Sequence, residues 1–117
     1  MSLNEGSCEP CRAGAPTLTP SEIENLKPQV PGWNVMEKDG ISRIQREFLF
    51  KNFRQAMGFA VAVGELAERE GHHPDLHVSW GRVVVETWTH KIRGLHRNDF
   101  ILAAKTDALY ESAPKSG

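Results

Sequence analysis

All five histidines of this 117-residue chain fall within the stretch AEREGHHPDLHVSWGRVVVETWTHKIRGLHRND, residues 67–99. Imidazole is the side chain whose ordinary pKa, about 6.5, lets it give or take a proton near neutral pH. His72 and His73 stand together ahead of Pro74, with Glu68 four residues before His72 and therefore one helical turn back. His90 follows near the end of a strand-like run. Several imidazoles with one carboxylate suit general acid–base work on a polar small molecule. The alternative is structural: His72 and His73 as a polar turn that ends a helix, and His90 as a partly buried strand residue. Metal binding is disfavoured, because His72-His73-Pro74 has neither the HExxH register nor a nearby Cys partner. No metal ligand is assigned.

The elements that must position these residues are punctuated clearly. In TPSEIENLK, Thr19 is an N-cap, Pro20 suits the first helical position and Glu22 completes a capping box. Pro28 and Pro31 stop that helix. Two β-rich runs, near 33–37 and 41–50, flank Asp39-Gly40, a dipeptide that tolerates the positive φ of a tight hairpin. After the cap Asn52 the period changes to three and four, and Phe53, Ala56, Met57, Ala60, Val63 and Ala67 form one helical stripe. Gly71 and Pro74 end this helix.

LHVSW and RVVVETWTHKI then alternate with period two around Gly81, which predicts a second hairpin. On its second strand Val84, Glu86, Trp88 and His90 share one face and Val83, Val85, Thr87 and Thr89 the other. A last helix runs from about Asn98 to Tyr110, with Phe100, Ile101, Ala104 and Ala108 inward. The order helix, strand, strand, helix, strand, strand, helix predicts an α+β fold, a four-stranded antiparallel sheet with helices packed on one face. One domain is expected over 18–112, with a flexible N-terminal arm over 1–17 and a disordered tail over 113–117.

Fourteen Lys and Arg against fifteen Asp and Glu give a formal charge of −1, so no global field draws the chain to nucleic acid or an anionic membrane. No apolar run is long enough to span a bilayer, and the N-terminus lacks the basic and apolar regions of a signal peptide. A cytoplasmic protein is the expectation. Cys8 and Cys11 form one CxxC, only two of the four ligands of a structural zinc site.

Glu68-x-x-x-His72-His73-Pro74, then Trp80, His90 in THKI and Asp99 after GLHRN, resembles the signature of the pterin-4a-carbinolamine dehydratases. CEPCRAGAP and GLHRNDFILAAKTD are similar to bacterial members that serve phenylalanine hydroxylase. The resemblance implies a hydro-lyase that removes water from 4a-hydroxytetrahydrobiopterin to give quinonoid dihydropterin, recycling the cofactor of aromatic amino-acid hydroxylases. It implies His72, His73 and His90 as active-site histidines and Glu68 as their carboxylate. His72, His73, Pro74, Thr89, His90, Lys91 and Ile92 would line the pterin pocket. No cofactor is implied, since the pterin is substrate, and a homodimer or homotetramer is expected.

Asp99 also fits the pattern, and it equally suits the first turn of the last helix, where the dipole favours negative charge. Trp80 and Trp88 are read as sheet packing, and His77 and His96 as surface or turn residues. Leu76 stands where some relatives carry an aromatic residue. A second reading follows from the same resemblance: mammalian members double as dimerization cofactors of a homeodomain transcription factor, so an interaction module, or a role in another pterin pathway, is the alternative.

Overall fold

The computed structural model describes residues 3–6, 8 and 15–112. The remainder of the expected arm, Cys11 included, and the expected tail over 113–117 lie outside the described residues.

Helix α1, Pro20–Leu26, begins with the anticipated capping box: Glu22 N–H donates to Thr19 Oγ1 at 3.2 Å and Thr19 N–H to Glu22 Oε1 at 2.8 Å. Strands β1, Asn34–Lys38, and β2, Ile41–Leu49, pair in antiparallel register. Asp39 and Gly40 turn between them with φ of 55° and 77°, so both central residues are left-handed, as a type I′ hairpin requires. Helix α2, Phe53–Glu70, is capped by Asn52, whose side chain accepts from Gln55 N–H at 2.8 Å. Strands β3, Asp75–Ser79, and β4, Arg82–Thr87, form the second hairpin, and helix α3 spans Arg97–Ser112.

The sheet order is β1-β2-β4-β3, antiparallel throughout. Ile44 and Phe48 of β2 and Val83 and Val85 of β4 point into a core completed by Ala56, Phe59, Ala60 and Val63 of α2 and by Phe100, Ile101, Ala103 and Ala104 of α3. Trp33 is fully buried, and its indole N–H donates to Asp107 at 2.8 Å beside Arg46 at 2.7 Å. Burial raises the Asp107 carboxyl above its ordinary value, against the lowering influence of Trp33 and Arg46. Described residues of the expected arm pack onto the domain. Leu3 is buried in the core, and Cys8 N–H donates to Glu70 at 2.8 Å.

The buried stripe of α2 is rotated from the expected one. Ala56, Phe59, Ala60, Val63, Leu66 and Ala67 face the core, whereas Phe53, Met57 and Val61 are exposed. The helix is apolar on two sides, so a spacing of three and four residues fits either stripe, and only the position of the sheet chooses between them. Strand β4 also ends sooner than the alternation suggests. After Thr87 the chain makes a bridge between Thr89 and Gly94 around a 3-10 turn, His90–Ile92, so His90 sits in that turn and is exposed.

Candidate active site

The stop of α2 fixes the first histidine. Gly71 takes the left-handed conformation, φ 66°, and its N–H points to Glu68 O at 3.4 Å while His72 N–H donates to Ala67 O at 3.1 Å. This double reversal is a Schellman stop, which needs a residue free of Cβ strain at the Gly71 position. It turns His72 inward, where Nε2 meets Asp99 Oδ1 at 2.6 Å.

Asp99 is fully buried and is the hub of the site. Thr87 Oγ1 donates to its Oδ1 at 2.7 Å, Thr89 Oγ1 to its Oδ2 at 2.8 Å, and His96 N–H to Oδ2 at 3.0 Å. With His72 that makes four partners, about as many as a carboxylate can take, and a buried charge is tolerable only when so satisfied. Because an ionised carboxylate only accepts, His72 Nε2 carries the hydrogen and its Nδ1 is the nitrogen left for other chemistry.

Asp99 also starts α3. His96 occupies the cap position, its Nδ1 accepting from Asn98 N–H at 3.0 Å while its own N–H goes to Asp99. A His-capped version of the capping box thus ties the helix start to the carboxylate. The helix-start role and the contact with His72 belong to one side chain.

The other candidates divide from this centre. Glu68 meets His73, not His72: His73 Nε2 lies 2.5 Å from Glu68 Oε2 on the exposed surface. His90 stacks on Trp88, ring centroids 3.9 Å apart and planes at 13°. Among the described residues no hydrogen bond, ion pair or ring contact joins His90 to His72 or His73. Pro74 is half-buried after the histidine pair, and Lys91 is exposed beside half-buried Ile92 in the 3-10 turn. His77 lies exposed on β3. Among the described residues no three His, Cys, Asp or Glu side chains are grouped to hold a metal ion.

Thr87 and His96 escaped the sequence reading as site residues. The signal was present: two hydroxyls, Thr87 and Thr89, continue the inward face of Val83 and Val85, and buried hydroxyls call for a polar partner. On the opposite face, buried Arg43 pairs with Glu86 at 2.8 Å, and Gln45 donates to the second Glu86 oxygen at 3.2 Å.

Comparison with known proteins matches residues 16–109 to the family model of pterin 4 alpha carbinolamine dehydratase. A Syntrophotalea carbinolica protein, provisionally named a pterin-4-alpha-carbinolamine dehydratase, is 53% identical over 109 residues, 93% of this chain and 97% of that protein. The crystal structure of a transcriptional coactivator/pterin dehydratase from Brucella melitensis superposes with a TM-score of 0.72 at 34% identity, covering 81% of this chain and 99% of the other. A pterin dehydratase-like protein identified as a RuBisCO assembly factor of the alpha-carboxysome shares the fold, with a TM-score of 0.58 at 24% identity over 68% of this chain and 89% of its own.

Proposed function

The chain belongs to the pterin 4 alpha carbinolamine dehydratase family, and from that premise we propose that it dehydrates 4a-hydroxytetrahydrobiopterin by histidine acid–base catalysis. The reaction delivers a proton to the C4a hydroxyl, which leaves as water with the electron pair of the C–O bond. A base removes the N5 proton, and the freed pair forms the C4a–N5 double bond of the quinonoid dihydropterin. Two imidazoles suffice for these transfers, so the reading needs neither metal nor organic cofactor.

The observation that carries it is the 2.6 Å contact between His72 and the saturated, buried Asp99. That contact fixes the tautomer of His72 and leaves Nδ1 to exchange a proton with substrate. His90, with both ring nitrogens free of protein partners among the described residues, is the second proton-transfer group, and Glu68 with His73 forms the outer rim. His72, His73, Pro74, Thr89, His90, Lys91 and Ile92 line the pterin pocket. The setting is cytoplasmic recycling of the cofactor of an aromatic amino-acid hydroxylase, by a homodimer or homotetramer. No helix among the described residues is long and apolar enough to cross a membrane.

The test follows the ultraviolet absorbance of freshly made 4a-hydroxytetrahydropterin with the protein, with His72→Ala and with His90→Ala, each also with a chelator. Acceleration that survives chelation and falls at least about tenfold in either variant, a loss of about 1.4 kcal/mol of transition-state stabilisation, is expected. Failure of the folded wild-type protein to accelerate the reaction sinks the reading.

One observation favours a second reading. Phe53, Met57 and Val61 leave an apolar stripe exposed on α2, which suits an interaction module of the coactivator kind. That role predicts indifference to His90 substitution, the reverse of the enzyme.

A further inference from the structure

We infer that Trp88 is a positioning residue for His90, holding its imidazole by the face so that both ring nitrogens stay free for proton transfer; the inference rests on the catalytic reading of His90. His90 lies in an exposed 3-10 turn, and no hydrogen bond to its ring appears among the described residues. What orders it is the near-parallel stack on Trp88, at 3.9 Å and 13°. A ring held by an edge hydrogen bond gives up one nitrogen, as His72 does to Asp99. A ring held by its face gives up neither.

Trp88 is itself anchored from the sheet. Its backbone lies between Thr87 and Thr89, both pinned to Asp99 by their hydroxyls at 2.7 and 2.8 Å. Its side chain turns the other way and meets Arg43, whose guanidinium carbon is 5.0 Å from the indole centroid. Arg43 is buried and fixed in turn, by Glu86 at 2.8 Å and by Lys38 O at 3.1 Å. The indole N–H is buried without a partner among the described residues. Packing and π contacts therefore orient Trp88, not a hydrogen bond. A chain of contacts runs from β2 through Arg43 and Trp88 to His90, and it reduces the rotamers His90 must lose before reacting.

The experiment compares Trp88→Ala and Trp88→Phe in the dehydration assay, alone and combined with His90→Ala, with Trp88→Leu as the bulk-preserving variant if alanine unfolds the protein. The expected result is a fall in kcat of about tenfold for Trp88→Ala or Trp88→Leu with KM within about twofold, since orientation and not binding is lost. Trp88→Phe, which keeps a ring face, rescues kcat. The double variant with His90→Ala is no slower than His90→Ala alone, because the two residues act through one group. In proton NMR the His90 ring signals lie upfield in the wild type, under the indole ring current, and move to exposed-histidine positions in Trp88→Ala. Wild-type kcat in a folded Trp88→Ala or Trp88→Leu variant, fully multiplicative losses in the double variant, or an unshifted His90 in the wild type overturns the inference. A wild-type protein that does not accelerate dehydration overturns the catalytic reading first, and the positioning role with it.

Discussion

His72 and His73 are adjacent in the chain and each meets a carboxylate through Nε2, yet the two pairs live in opposite surroundings. The side chains of His72 and Asp99 are 10% and 0% exposed, those of His73 and Glu68 63% and 77%. The buried pair is one spoke of a network that also holds the start of α3 and the end of β4. The exposed pair has no further side-chain hydrogen bond or ion pair among the described residues. Distance alone does not separate them, since the contacts are 2.6 and 2.5 Å. Water does: a charge that is fully desolvated must be matched by every donor around it, whereas one at the surface is matched by solvent whenever its partner leaves.

The largest break in that comparison is Asp99→Ala. It strands two hydroxyls, an N–H and an imidazole in a buried space, and urea unfolding should show a loss of about 3–5 kcal/mol, the scale of removing one partner from a buried charged network. His72→Ala removes one donor of four and leaves the carboxylate with its other three, so about 1–3 kcal/mol is expected from the same measurement. Glu68→Ala or His73→Ala should cost no more than about 1 kcal/mol, and 0.5 M salt should erase most of it, because exposed pairs are screened. A cost for Glu68→Ala equal to that for His72→Ala would show that the two pairs are not so different after all.

The smallest effect concerns Cys8, a free thiol close to the same network. Burial, helped by the Glu70 and Asp99 carboxylates, pushes its thiol up to about 12. A folded-state value above the unfolded one means that the stability tied to this group is whole below the unfolded pKa, about 8.5, and is lost as pH climbs toward 12. At pH 8, alkylation at Cys8, followed by peptide mass spectrometry, should be slow in the folded protein and fast in urea. Equal rates in the two states would contradict the burial.

The difference between the pairs marks where a sequence can be read. Signals carried within a few residues were legible: the box Thr19–Glu22, the Asp39-Gly40 turn, the Asn52 cap and the Gly71 stop all stand as expected. Glu68 and His73 are five residues apart, but their meeting depends on how the chain turns after Gly71, and helical spacing pointed to His72 instead. Asp99 was visible as a first-turn acid of α3; its bonds to Thr87, Thr89 and His72 were not, because they depend on how α3 and the end of α2 meet β4. The outward stripe of α2 was hidden for a similar reason, since Phe53 and Met57 keep the same spacing as the residues that became core.

The strand order carries a consequence for how the molecule is made. Each hairpin joins neighbours in sequence and can form early, but the central seam between β2 and β4 closes only after all of α2 and β3 have been spanned. Loop-closure entropy must be met there before the packing that rewards it, so this seam is the sheet pairing that costs the most chain entropy to close. The Asp99 hub is non-local too, since it draws on the end of α2, the end of β4 and the start of α3. Neither the seam nor the site can form from one hairpin alone.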